Sequence, residues 1–226
     1  MPLRAMHWEN QHVTQVSVVI LDFDGVIVES NAVKNSAFDE FFTRYPDYCD
    51  AMRSFHLENH AKPRCFKFTY YVEHLLKRPG DEKAIEQMAI DFSALVADRV
   101  INCPMVSGAE SFLQKFSKRV PLYISSVTPQ DELERIVAAR GLSSYLKRLY
   151  GDPPHAKSEA IKQILKSEDV APNQVVFVGD SASDYQVAKE SGLIFIGRDS
   201  GQPFPDSDFD LYADLNEVAN AIERLT

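Results

Sequence analysis

Cysteine is scarce in this chain. Cys49, Cys65 and Cys103 are the only three in 226 residues, an odd number with no CxxC spacing. That pattern speaks against a disulfide framework and for idle, reduced thiols in an intracellular compartment. Long apolar runs are also missing. No stretch approaches the length of a membrane span, and the first fifteen residues lack the apolar core of a signal peptide. The expectation is a soluble, cytoplasmic protein. Positive charge is in short supply as well: 24 Lys and Arg stand against 33 Asp and Glu, a net charge of -9. A basic face for nucleic acid or an anionic membrane is therefore not expected. There are no internal repeats and no low-complexity segments. An acidic chain that handles an anionic substrate must concentrate positive charge locally.

What is present is ordinary in bulk. Hydrophobic residues make up 45% and charged residues 25%, as in a globular protein long enough to bury a sizeable core. The chemistry-bearing feature is Asp22-Phe23-Asp24-Gly25-Val26, directly after the apolar run Val16 to Leu21. It sets two carboxylates where a buried strand ends and a glycine turn begins. Ligands bind at that end of strands in an open α/β sheet. Two close acids repel, and a bound cation is the usual remedy. A turn with an Asp side-chain hydrogen bond is the plainer alternative. A calcium loop is disfavoured, because Val26, Ile27 and Val28 offer no side-chain oxygens.

Beyond this turn, helical spacing covers Asn31 to Tyr45, Asp47 to His60, Arg64 to Lys77 and Asp81 to Asn102, with Pro46, Pro63, Pro79 and Gly80 between them. Past Pro104, helices alternate with strands at 121–125, 148–150, 174–179, 193–197 and 210–212. That alternation predicts an α/β fold: a parallel sheet covered by helices on both faces. The helical block then forms a cap at 30–103, over a core of 1–29 and 104–226. Later strands carry polar residues at their C-terminal ends: Ser125-Ser126 after Leu122 to Ile124, and Gly179-Asp180-Ser181-Ala182-Ser183-Asp184 after Val175 to Val178. Lys157 opens a helix between them. In a parallel sheet these ends share one edge with Asp22 and Asp24.

In order and in residue type, the four segments resemble the motifs of the haloacid dehalogenase superfamily. DxDG[VT] is Asp22 to Val26, the apolar run ending in Ser or Thr is Leu122 to Ser125, the lysine is Lys157, and GDxxxD is Gly179 to Asp184. The resemblance implies a Rossmann-like core of strand order 5-4-1-2-3 with a helical cap, as in phosphoglycolate phosphatases and β-phosphoglucomutases. It implies magnesium held by Asp22, the Asp24 backbone carbonyl, Asp180 and Asp184, the last as ligand or support. The expected activity is hydrolysis of a small phosphorylated metabolite by a monomer or homodimer. Asp22 would be the nucleophile of an aspartyl-phosphate route, and Asp24 the acid and base. Ser125 and the backbone N–H groups of Asp24, Gly25 and Ser126 would donate to the phosphoryl oxygens, and Lys157 would supply fixed positive charge.

Asp24 argues against a dehalogenase, since relatives with that activity lack the second aspartate. Lys34 stands where mutases of the β-phosphoglucomutase kind carry a histidine, which disfavours that chemistry without closing it. A Schiff-base role for Lys34 and a catalytically silent phosphate-binding module also stay open. Substrate choice is expected in the cap. His56, Asn59 and His60 share a predicted helical face, and Arg64 and Lys67 can reach a sugar hydroxyl, carboxylate or second anion; exposure on a surface helix is the plainer reading. Phe66, Phe68, Tyr70, Tyr71 and Leu75 read as the cap's own core. Val33-Lys34 through Ala37-Phe38, His56-x-x-Asn59 and Arg64-x-x-Lys67-Phe68 are similar to cap-bearing members of sugar-nucleotide and surface-polysaccharide pathways, and so favour a sugar or sugar-acid phosphate over phosphoglycolate.

Overall fold

The computed structural model describes residues 15–59, 62–204 and 209–225. His60 and the N-terminal stretch before Gln15 lie outside the described residues.

Strand β1, Val18–Leu21, is fully buried along its length. Its β-branched run belongs in a strand covered on both faces. It pairs in parallel with β2 (Leu122–Ser126) on one side and β4 (Val175–Gly179) on the other. β3 (Arg148–Gly151) lies beyond β2, and β5 (Ile194–Arg198) lies beyond β4. The order among the described residues is β3-β2-β1-β4-β5-β6, with β6 (Asp210–Tyr212) also parallel. This is the expected 5-4-1-2-3 arrangement, extended by one edge strand.

Register decides what meets at the strand ends. Leu21 stands opposite Ile124 on one side and Val178 on the other. The next residues, Asp22, Ser125 and Gly179, therefore emerge at one level. Alternation along β1 sends Val18 and Ile20 to one core cluster and Val19 and Leu21 to a second. The second cluster runs without a break into the helices that follow β1.

Those helices are α1 (Asn31–Phe42), α2 (Cys49–Glu58), α3 (Arg64–Tyr70) and α4 (Glu82–Asn102). In α1, Ala37, Phe38, Phe41 and Phe42 fall on one stripe and are buried. Asp81 caps α4 by accepting from the Ala84 N–H at 3.0 Å. Two predicted helices are less regular than expected. Residues Pro46–Tyr48 form a single tight turn before α2. After Tyr70 the helix widens at Tyr71–Leu75, where the Leu76 N–H reaches back to the Tyr71 carbonyl. Phe68 and Tyr71 are buried as expected of core residues, whereas Phe66 is exposed.

The chain leaves and re-enters the sheet through two adjacent segments that pair with each other. Glu29 N–H donates to the Pro104 carbonyl at 2.9 Å, and Val106 N–H to the Ile27 carbonyl at 3.0 Å. The rest of the fold is α5 (Ala109–Phe116), α6 (Gln130–Ala139), α7 (Lys157–Glu168), α8 (Ala182–Glu190) and α9 (Leu215–Arg224).

Candidate active site

Three buried carboxylates gather at the C-terminal edge of the sheet. Asp22, Asp180 and Asp184 each offer an oxygen within 4.8 Å of the others. Lys157, the first residue of α7, joins them: its Nζ lies 2.9 Å from Asp22 Oδ2 and 2.5 Å from Asp184 Oδ1. The other Asp22 oxygen accepts the Phe23 N–H at 2.7 Å. Asp180 precedes α8, Ser181 is its N-cap, and Asp184 sits in the first turn. Ser181 Oγ donates to Asp184 Oδ2 at 2.7 Å, and Asn31 Nδ2 to Asp180 Oδ2 at 2.7 Å.

Two glycines make room for this cluster. Gly25 has φ +72°, and a Cβ there would fall 1.9 Å from Asp180 Oδ2. A Cβ on Gly179 would fall 2.4 Å from that of Asp184. Gly25 differs from expectation in one respect: its N–H donates to the Val28 carbonyl at 2.8 Å and closes the turn. That donor serves the loop, and the expected phosphoryl contact from it is withdrawn.

Charge in the cluster is unbalanced. Burial pushes the Asp22 carboxyl well above the usual range, and Asp184, Asp180 and Asp24 add to this against the pull of Lys157. Asp180 is pushed up to about 6, first by burial and then by Asp184. Burial alone would lower Lys157, but Asp184 and Asp22 hold its ammonium above the ordinary range. Carboxylates raised by burial and by each other are stabilised by a dication, and an all-oxygen donor set suits a hard one such as magnesium. Ser125 Oγ is fully buried and makes no hydrogen bond among the described residues. A buried hydroxyl left over at the level of Asp22 is a donor for an anionic ligand.

Asp24 stands apart from the cluster. Its carboxylate accepts from Ser30 Oγ at 2.5 Å, Lys34 Nζ at 2.5 Å and Thr128 Oγ1 at 2.8 Å, with Ser126 Oγ at 3.4 Å. Burial acts to raise it, yet Lys34 and these hydrogen bonds hold it below the usual carboxylate range. Its side chain is thus engaged away from the Asp22, Asp180 and Asp184 cluster. Thr128 and Ser30 were not legible as site residues. Ser30 directly precedes α1 and looks like a helix cap, but its hydroxyl is used on Asp24 and makes no cap bond.

The strand ends and the helical insert line a cavity of about 110 Å³ that opens to solvent. Asp22, Asp24, Lys157 and Asp180 line its floor; Asn31, Lys34, Asn35, Phe38, His56, Arg64 and Lys67 line the wall from the insert. Arg64 and Lys67 are buried, so the surface-helix reading fails. The Arg64 guanidinium makes two 2.7 Å bonds to Glu132 of α6 and lies 4.9 Å from the Phe92 ring centre. Lys67 Nζ lies 3.3 Å from His56 Nδ1 and 5.0 Å from the Phe38 ring centre. Of the expected pair, His56 lines the cavity, whereas Asn59, the residue after α2, donates its side-chain Nδ2 to the Phe55 carbonyl.

Residues 19–197 match the family model described as haloacid dehalogenase-like hydrolase. No curated protein matches the chain in sequence. Among solved structures, a haloacid dehalogenase-like hydrolase from Streptococcus pneumoniae is 18% identical with a TM-score of 0.67, over 91% of this chain and 98% of that one. A Bacillus subtilis protein described as a HAD hydrolase, bound to magnesium, is 14% identical with a TM-score of 0.70, over 93% and 100%. A Haemophilus somnus protein described as a predicted phosphoglycolate phosphatase is 15% identical with a TM-score of 0.70, over 92% and 98%. At these identities the likeness is one of fold. Among the described residues no helix is long and apolar enough to cross a membrane.

Proposed function

The chain belongs to the haloacid dehalogenase-like hydrolases, and from that membership we propose that it hydrolyses a small phosphate monoester, a sugar or sugar-acid phosphate, by way of an aspartyl-phosphate. The observation that carries the reading is the meeting of Asp22, Lys157, Asp180 and Asp184 beside the unbonded Ser125 hydroxyl. Magnesium, held by Asp22, Asp180 and the Asp24 carbonyl with Asp184 as ligand or support, would offset the charge of a phosphate dianion meeting a carboxylate.

Asp22 is oriented by the Phe23 N–H and by Lys157. An Asp22 carboxylate oxygen forms a bond to phosphorus as the bond from phosphorus to the alcohol oxygen breaks, and Asp24 gives that oxygen its proton. In the second step Asp24 takes a proton from water, whose oxygen bonds phosphorus while the acyl phosphate bond breaks and Asp22 is restored. Lys34 holds Asp24 ionised in the substrate-free site, the form the second step uses; for the first step Asp24 takes up a solvent proton as the ester binds, and after that each turnover restores it with the proton taken from water. Ser125, the Ser126 N–H and Lys157 would stabilise phosphoryl oxygens as charge redistributes.

Residues 30–103 act as a cap domain in this reading, with the paired segments near 26–30 and 103–108 as its connection to the core. Cys49, Cys65 and Cys103 are unpaired; that supports a reducing compartment, and we place the enzyme in the cytoplasm. The test is phosphate release from an aryl phosphate in the presence of magnesium. Asp22→Asn should reduce it about a thousandfold or more; equal rates in both proteins would overturn the assignment.

A further inference from the structure

The loop that carries Asp24 is held shut by a residue of β5. Asp24 and Ser30 meet through the 2.5 Å hydrogen bond from Ser30 Oγ to Asp24 Oδ1. The chain neighbours of that contact are Gly25 and Glu29, and Arg198, the last residue of β5, grips both. Its Nη1 donates to the Gly25 carbonyl at 3.0 Å and to Glu29 Oε2 at 3.1 Å, and its Nη2 donates to Glu29 Oε1 at 2.5 Å. Nε donates to the Ala213 carbonyl at 3.3 Å and fixes the fork to the core. Ala213 precedes Asp214, which accepts from Ser107 Oγ at 3.0 Å. The segments that leave and re-enter the sheet are thus pinned to one corner.

The Arg198 side chain is 8% exposed, against 41% for Glu29. An ion pair so placed is a poor source of stability, because taking a guanidinium out of water offsets much of what the pair returns. What arginine supplies is geometry. Its N–H groups lie in one rigid plane and reach a carbonyl and both oxygens of a carboxylate together, which a lysine ammonium cannot do. Lys34 and Thr128 hold the Asp24 carboxylate directly. Arg198 instead fixes the backbone on either side of residues 26–28, and so keeps the Asp24 carboxyl from swinging away from the cavity.

We infer that Arg198 is a positioning residue for Asp24: by gripping Gly25 and Glu29 it closes the loop 24–30 and holds the Asp24 carboxyl where it can protonate the departing oxygen. This rests on the phosphatase reading and deepens its first step. In that step the bond from phosphorus to the ester oxygen breaks, and the Asp24 proton passes to that oxygen. Arg198 does not line the cavity and acts through the loop alone. A leaving group that departs as a stable anion needs the proton little, whereas a more basic one depends on it. Loss of Arg198 is therefore felt according to the basicity of the leaving oxygen.

The test compares kcat/KM with magnesium for 4-nitrophenyl phosphate, whose leaving group is a stable anion, and phenyl phosphate, whose leaving group is more basic. Arg198→Met should lower the value for phenyl phosphate about fiftyfold and that for 4-nitrophenyl phosphate by less than about fivefold. Arg198→Lys should show the same selective loss, because it keeps the charge but not the fork. Glu29→Gln leaves the arginine on Gly25 and decides the matter if neither Arg198 variant folds; it should cost about tenfold on phenyl phosphate and about twofold on the nitro ester. A side chain that only stabilised the fold would lower the Tm and slow both esters alike. Equal losses on the two esters, or no loss on either, therefore overturn the role of Arg198 while the hydrolase reading stands. A wild type that releases phosphate from neither ester overturns that reading, and this role with it.

Discussion

Glu132→Gln probes how firmly the helical insert is held against the sheet. Glu132 on α6 accepts two bonds from Arg64 of α3 at 2.7 Å each and one from Ser93 Oγ of α4 at 2.6 Å. Both ionic side chains are buried, 6% exposed for Arg64 and 4% for Glu132. An amide removes the negative charge and keeps a single acceptor oxygen, so the guanidinium stays buried with one partner lost. Breaking a buried pair from one side costs about 3–5 kcal/mol. Because glutamine retains one bond, the lower end applies, about 3 kcal/mol. For a chain of this size Tm falls by about 2–4 °C per kcal/mol, so calorimetry at pH 7 should show a drop of about 6–12 °C. Replacing both partners, Arg64→Met with Glu132→Leu, should recover much of it. The effect also depends on pH with a definite sign. Burial would raise the Glu132 carboxyl, but Arg64 and Ser93 hold it below the ordinary range. A folded-state value below the unfolded one contributes stability above the unfolded pKa and loses it as pH falls through the folded value. The gap between wild type and variant should therefore be full at pH 7 and close below the ordinary glutamate value of about 4.3. A drop under about 2 °C at pH 7, or a gap unchanged under acid, would refute the reasoning.

Magnesium should raise the Tm of the wild type, and its removal by a chelator should abolish phosphate release; Asp180→Asn should blunt both responses. Since Asp180 sits at about 6, protons compete for the site below that pH, and a magnesium-induced shift as large at pH 5 as at pH 7.5 would contradict the ligand assignment. Gly25→Ala places a Cβ 1.9 Å from Asp180 Oδ2 at φ +72°. The backbone strain alone is about 1–2 kcal/mol, and kcat/KM should fall about a hundredfold; a fully active variant would show that the turn tolerates a side chain. Crystal structures with and without a phosphate mimic such as tetrafluoroaluminate should differ by rotations near 26–30 and 103–108, with Val28 and Met105 still paired. Identical positions of the insert would count against cap closure.

The sequence by itself determined the parallel sheet, the helical insert and the edge where the carboxylates gather. Asp22, Ser125, Lys157, Asp180 and Asp184 each sit within a residue or two of a strand end or helix start, and in a parallel sheet strand order and register then bring such ends together. Only the tertiary structure decided how the polar residues of the insert are used. Arg64 reaches Glu132 across 68 positions, and Thr128 reaches Asp24 across 104. Periodicity assigns a polar residue on a helix to water, because it registers the spacing of apolar neighbours and not what a distant element brings to the same face. Lys67 was placed on a helix without difficulty; that it faces inward, buried beside Phe38 and His56, follows from where α1 and α2 pack, a relation that pattern along one segment does not contain.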